Sequence, residues 1–163
     1  MILPDVLDKG LSLVFCGTAP SRASKDARAY YAHPGNIFWK TLNEVGLTPR
    51  QLKPQEYPQL LALGIGLTDL NKMEWGADAS LTPASFDVAG FHAKMLRYRP
   101  KIIAFTSKHA ASQLLGRRPL QYGLQDQKLA DIRLFVLPST SGRARRHFDL
   151  SPWRELSHKV KEL

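Results

Sequence analysis

The sequence predicts an α/β fold, one domain over residues 1–163 built as a three-layer sandwich around a central, mostly parallel sheet, and three observations carry that expectation. Short apolar runs alternate with helical patterns along the chain, as they do where crossover helices join parallel strands. Each run stops at Gly, Pro or a small polar residue, the usual hand-over from a buried strand to a loop. With 163 residues and 44% hydrophobic content the chain can fill one substantial core and hardly two, and no repeat or linker divides it.

Strands are expected at about Leu11 to Cys16, Gly66 to Leu70, Ile102 to Thr106 and Leu134 to Leu137. Between them, Asn36 to Val45 reads as a helix ending at Gly46, Ser85 to Tyr98 as an amphipathic helix ending before Pro100, and Ser107 to Leu115 as a helix stopped by Gly116. Asn36 is placed to cap the first of these, with Phe38 and Trp39 anchoring its apolar face to the sheet. A last helix is expected to be capped by Ser151, with Pro152 in its first turn and Glu155 reaching back as a capping-box carboxylate. The stretch from Arg117 to Asp131, rich in Gln, Gly and charge, reads as a surface excursion holding a hairpin.

Composition then narrows the functional classes. Twenty-three Lys plus Arg against 14 Asp plus Glu give a formal charge of +9, and the pI near 9.9 favours an anionic partner, with nucleic acid first. No stretch approaches the ~20 apolar residues of a membrane span, and the N-terminus lacks the pattern of a secretory signal. The expected location is the cytoplasm, in the cytosol or nucleoid, with no membrane partner. Cys16 is the single cysteine, which excludes an internal disulfide and Cys-rich metal sites, and reads as a core residue. The five histidines show no metal-ligand spacing, so no metal or cofactor is expected.

Three constellations carry chemistry. Gly17-Thr18-Ala19-Pro20-Ser21 follows the first strand, and its small residues suit a pocket at the carboxyl end of the sheet, where open α/β folds bind ligands. Tyr30 and Tyr31 follow soon after and can offer an aromatic face to a planar group such as a nucleobase, although Tyr31 also suits ordinary packing. His33 suits either a hydrogen bond within its loop or a phosphate contact. The second constellation puts Asp69 at the end of the strand Gly66 to Leu70, on the same rim if the sheet is parallel. Asp69 there suits a general base that orients water, and equally a turn cap or a partner for Lys72. The third is Pro138-Ser139-Thr140-Ser141-Gly142-Arg143-Ala144-Arg145-Arg146 after the last predicted strand. Hydroxyls, exposed backbone N–H groups and arginines suit a nucleic-acid backbone, and also a solvated Arg-rich turn.

Gly17-Thr18-Ala19-Pro20-Ser21, Ala32-His33-Pro34-x-Asn36-x-Phe38-Trp39, Leu52-Lys53-Pro54-Gln55-Glu56 and Leu137-Pro138-Ser139-Thr140-Ser141-Gly142 together resemble the mismatch-specific uracil/thymine DNA glycosylases of the uracil-DNA glycosylase superfamily. The resemblance covers nearly the whole chain. It implies a uracil-DNA glycosylase-like sandwich that hydrolyses the N-glycosidic bond of uracil, with thymine or other deaminated bases as further substrates, flipped from a G:U or G:T mismatch in base excision repair. Where most of that family has an Asn thought to position the attacking water, this chain has Ala19. A variant branch similar to this chain pairs Gly-Thr-Ala-Pro-Ser with an Asp in the second motif, which implies that Asp69 takes over the water. Ser139 stands in place of a usual Asn and Arg143 where an apolar wedge is common.

The sites implied are catalytic Asp69, a base pocket of Gly17, Thr18, Ala19, Pro20, Tyr31 and Asn36, and DNA contacts from Ser21, Ser139, Thr140, Ser141, Gly142, Arg143 and Arg145. The implied partner is double-stranded DNA containing mismatched uracil, bound by a monomer. Two other classes fit the same residues: a DNA- or RNA-binding module that has lost its chemistry with the missing Asn, and a hydrolase of free nucleotides or nucleosides.

Overall fold

The computed structural model describes all residues, 1–163, and contains one five-stranded sheet with helices on both faces. The strands are β1 (Leu13–Gly17), β2 (Ile65–Asp69), β3 (Ile102–Phe105), β4 (Gly123–Leu129) and β5 (Ile132–Val136), in the spatial order β2-β1-β3-β5-β4. All neighbours are parallel except β4, which is antiparallel to β5. This is the expected α/β sandwich, with every predicted strand within a few residues of its expected place.

Strand side chains alternate between two cores, as the period of two requires. Leu13, Phe15, Ile65, Leu67, Ile102, Ala104, Phe135 and Leu137 face one layer, with Phe38, Trp39 and Leu42 of α2 (Phe38–Glu44) and Trp153 and Leu156 of α5 (Ser151–Lys161). Val14, Cys16, Ile103, Phe105, Leu134 and Val136 face the other, against Phe91 and Met95 of α3 (Val88–Tyr98) and Ala110, Ala111 and Leu115 of α4 (Lys108–Leu115). Being buried on both faces, β1 and β3 read as nearly continuous apolar runs, while β2 ends in the buried polar pair Thr68 and Asp69.

The helix starts carry the corrections. Asn36 Oδ1 accepts from the Phe38 backbone N–H at 2.9 Å, so the residue does serve the start of α2, from just outside a helix that begins at Phe38. α3 begins at Val88 because Asp87 caps it by accepting from Gly90 N–H at 2.9 Å, with Pro83–Ser85 forming a separate 3-10 turn. Ser107 caps α4, accepting from Ala110 N–H at 3.0 Å. Ser151 does not cap α5: it is the first helical residue, Leu150 is the N-cap, and Asp149 Oδ1 accepts from Ser151 N–H at 2.9 Å. The capping box with Glu155 is absent, and that carboxylate sits against Gly123 of β4 instead.

The excursion from Arg117 to Asp131 holds one strand and no hairpin of its own: β4 forms the sheet edge and pairs antiparallel with β5, the strand expected near Leu134 to Leu137. Two further elements have start signals but no apolar periodicity to announce them: α1 (Arg22–Ala27), capped by Ser21, and a 3-10 helix over Pro54–Leu63. No helix is long and apolar enough to cross a membrane.

Candidate active site

A cavity of about 770 Å³ opens at the carboxyl ends of β1, β2 and β3. The parallel register places Gly17 opposite Asp69, so the last residues of β1 and β2 reach the rim together. Thr106 follows the last residue of β3. Sheet topology alone therefore brings three separate segments to one place.

Gly17 is the centre of the floor. A Cβ on it would lie 2.8 Å from Asp69 Oδ1, 3.3 Å from the Tyr31 hydroxyl and 3.4 Å from the Thr106 hydroxyl, so only a residue without one lets these three oxygens converge. Asp69 is 6% exposed and its Oδ2 is buried without a hydrogen-bond partner. Burial pushes its carboxyl up to about 6, against the pull of Lys72 and Lys94 and with some help from the negative Asp5. Neither bland reading of Asp69 holds: Lys72 pairs with Asp5 at 2.8 Å, and an oxygen left without a partner is not a cap.

Tyr31 forms the aromatic wall. It adopts a left-handed backbone conformation (φ 52°) and stacks on Phe38, ring centroids 3.9 Å apart and planes 17° from parallel. Phe38 belongs to the core, so the stack holds the Tyr31 ring in place at the cavity. The Tyr31 hydroxyl meets the Thr106 hydroxyl at 3.3 Å. Burial, and then the negative charge of Asp69, push that phenol above its ordinary range, so it remains a neutral hydroxyl.

The loop Thr18 to Ser21 is held by its surroundings. Asn71 N–H donates to Thr18 O at 2.8 Å, Gly76 N–H to Pro20 O at 2.9 Å, and the Thr18 hydroxyl to Asp78 Oδ1 at 2.8 Å. Across the cavity, Ser139, Thr140, Ser141, Gly142 and Arg143 line the opposite rim. Ile37 N–H donates to Thr140 O at 3.0 Å, which ties this loop to the entry of α2. Ser139 Oγ accepts from Ser141 N–H at 3.2 Å, and Gly142–His147 winds into a 3-10 turn that leaves Arg143 exposed.

Of the residues singled out in the sequence, Gly17, Thr18, Ala19, Pro20, Ser21, Tyr31, Asn36, Asp69, Ser139, Thr140, Ser141, Gly142 and Arg143 all line this one cavity. Arg145 does not: its guanidinium turns back and donates to Gly35 O at 3.3 Å. His33 accepts from Gly35 N–H at 2.9 Å, the within-loop role, while still bordering the cavity. Sequence reasoning missed Thr106, Trp75 and Asp78. Thr106 ends a predicted strand and was within reach of the rule that singled out Asp69, whereas Trp75 lies in a loop and Asp78 starts a three-residue 3-10 turn, neither with periodicity. No three His, Cys, Asp or Glu side chains are grouped as a metal would need.

A buried, unpaired carboxylate on the floor of a sheet-end cavity, with a fixed aromatic wall and an arginine on the lip, defines an α/β protein equipped to hold a planar group against an acid or base. Residues 4–158 match the family model described as the uracil DNA glycosylase superfamily, and the chain belongs to that superfamily. Its fold is also similar to that of a Methanosarcina acetivorans protein, solved in solution by NMR and described as a candidate uracil DNA glycosylase. The TM-score is 0.69 and the identity 24%, over 98% of this chain and 96% of that one.

Proposed function

We propose that the protein is a monofunctional DNA glycosylase of the mismatch-specific branch, which hydrolyses the N-glycosidic bond of a uracil flipped out of a G:U pair. The observation that carries this reading is the Asp69 carboxylate, buried in the cavity floor with one oxygen unpartnered and Tyr31 beside it. A base inside the duplex cannot present its sugar carbon to water, and a mismatched pair is the easier one to open. At the lip, Arg143 enters the space that the base vacates, while Ser139, Ser141 and Ser21 donate to flanking phosphates; Thr140, only 3% exposed, is too buried to join them.

In the cavity the ring lies against Tyr31, backed by Phe38, in an edge-bounded slot. Asn36 gives its carbonyl oxygen to the start of α2, which leaves its amide N–H groups for a carbonyl of the base. Thr18, Ala19 and Pro20 wall the polar edge, where the backbone N–H groups around Thr18 and Tyr31 stabilise charge that develops as the base departs.

On the sugar side, Asp69 orients a water toward the anomeric carbon and accepts its proton as the new C–O bond forms. The C–N bond breaks with its electron pair passing to the base nitrogen, which leaves as an anion and is protonated from solvent. The negative charge of Asp69 also steadies the oxocarbenium-like carbon, as carboxylates do in glycoside hydrolysis. Ala19 offers the water nothing, which is consistent with the carboxylate doing that work from β2 instead of an amide from the first loop. Because only the ionised form serves, the rate rises with pH through about 6 and then levels.

The test is base release from a G:U duplex by purified protein without added metal. Release of free uracil that Asp69→Asn abolishes supports the reading. Salt-sensitive DNA binding with no release points to a silent binding module, and turnover of free nucleosides in place of DNA points to a nucleoside hydrolase.

A further inference from the structure

The N-terminal segment runs antiparallel to β2. Ile2 N–H donates to Lys72 O, Val6 N–H to Leu67 O and Leu67 N–H to Val6 O, each at 2.9 Å. A side chain at position 66 would block this, since a Cβ on Gly66 would lie 2.5 Å from Val6 O. The pairing delivers Asp5 into a cluster. Lys72 meets Asp5 Oδ1 at 2.8 Å, the Thr68 hydroxyl donates to the same oxygen at 2.7 Å, and Lys94 from α3 meets Oδ2 at 2.6 Å. Lys72 also donates to the Tyr30 hydroxyl at 3.3 Å, which in turn donates to Pro4 O at 3.0 Å.

Two ammonium groups share one carboxylate, so the cluster carries a net positive charge. It is poorly screened, with side chains only 15%, 20% and 31% exposed for Lys72, Asp5 and Lys94. The cluster sits directly behind the catalytic strand, because Thr68 is the residue before Asp69 and Lys72 follows it by one turn of chain. None of the three is hydrogen-bonded to Asp69 Oδ2, which has no partner at all.

We propose that Lys72, held by Asp5 and backed by Lys94, is a positioning group that keeps Asp69 charged through space and leaves its oxygens free for water. This rests on the assignment of Asp69 as the group that activates water. Burial alone drives a carboxyl toward its neutral form, and a direct ion pair would restore the charge only by occupying the oxygens needed for chemistry. A cation held by another acid against the same strand, and not bonded to Asp69, meets both demands. The other groups beside Asp69 are the Tyr31 and Thr106 hydroxyls, with the Tyr30 phenol and the Cys16 thiol near enough to feel its charge. The phenols and the thiol are all pushed up by burial and stay neutral, so the field at Asp69 is set by Lys72, Lys94 and Asp5.

The test compares Lys72→Met, Lys94→Met, Asp5→Asn and Lys72→Arg with the parent protein. Two readouts are used: the carboxyl titration of Asp69 by carbon NMR and the acid limb of single-turnover uracil excision. Lys72→Met moves both to higher pH by about one pH unit, Lys94→Met moves them the same way by less, and Lys72→Arg restores the parent value. Asp5→Asn moves both to lower pH, because it unmasks the lysines. A merely structural cluster lowers activity at every pH without shifting the limb, and unmoved limbs, or shifts of one sign in Lys72→Met and Asp5→Asn, overturn the proposal. Should Lys72→Met fail to fold, Lys94→Met and Asp5→Asn carry the same opposite-sign test. If the parent releases no base while the NMR titrations still move in opposite directions, the glycosylase reading falls and the effect of the cluster on Asp69 stands.

Discussion

Asp5 and Asp69 are both withdrawn from solvent and both lie against β2, yet the structure treats them in opposite ways. Asp5 is met by two lysines and a threonine hydroxyl. Burial on its own would raise it, but the hydrogen bonds from Lys72 and Lys94 outweigh burial and hold it below the usual carboxylate range. Asp69, more deeply buried, has an oxygen with no partner and is pushed up to about 6. A satisfied buried carboxylate ties segments together; an unsatisfied one costs stability and is tolerated where chemistry uses it.

The contrast between the two acids shows most strongly in rate. Asp69→Asn is expected to lower uracil excision by at least ~10²-fold with DNA affinity nearly intact, as loss of a general base does. Single-turnover kinetics beside a binding titration check this, and unchanged turnover would remove Asp69 from the mechanism.

The next effect is on stability, and its sign separates the two acids. The folded protein keeps the Asp69 proton up to about pH 6, whereas the unfolded chain releases it near the ordinary 3.8. The cost of ionising it is therefore absent below about pH 4 and complete above about pH 6. Asp69→Asn should stabilise the protein at pH 8 by up to about 3 kcal/mol, with the gain gone at pH 4. Asp5→Asn should do the reverse, because the depressed carboxyl contributes stability above its unfolded value and loses it as pH falls through the folded one. It lowers the midpoint at pH 8, with a gap that narrows in strong acid. Denaturation of both variants at the two pH values reads all four outcomes.

Gly17→Ala gives a smaller effect. Its methyl group would lie 2.8 Å from Asp69 Oδ1, closer than such contacts occur, so the carboxylate must shift. A loss of roughly 10-fold or more in excision rate is expected, with the fold retained on circular dichroism. Arg143→Ala is expected to have the smallest effect, under ~10-fold, because it touches the lip of the cavity and neither acid. It should weaken excision from duplex more than from single strands and leave the acid limb unmoved, and equal losses on both substrates would argue against the wedge role.

The fold was legible where burial writes itself into composition. Leu13 to Cys16 and Ile102 to Phe105 are covered on both faces, so nearly every residue there is apolar. β4 is an edge strand whose middle is Gln-Asp-Gln-Lys, held by backbone bonds to β5, and side chains facing water carry no trace of that pairing. α1 and the 3-10 helix over Pro54–Leu63 bury little of their own, so no strong periodicity marks them. Ser151 was misplaced as a cap because Asp149, two residues earlier, satisfies the same end of α5.

For the site, the rule that ligands gather at the carboxyl ends of parallel strands sufficed to find Gly17 and Asp69, and the loop after β5 with its hydroxyls and arginines. Tyr31 was visible as an aromatic residue near that rim, but its support by Phe38 was not, since the contact depends on how α2 packs. The sequence by itself determined where the buried strands lie along the chain, the rim at which their loops meet and the positive charge around it, because periodicity, chain breakers and composition are local properties. Only the tertiary structure decided which acid is paired and which stands alone. Pairing and desolvation are set by groups distant along the chain: the N-terminal segment brings Asp5 to Lys72, and a bare Gly17 leaves Asp69 facing an open cavity.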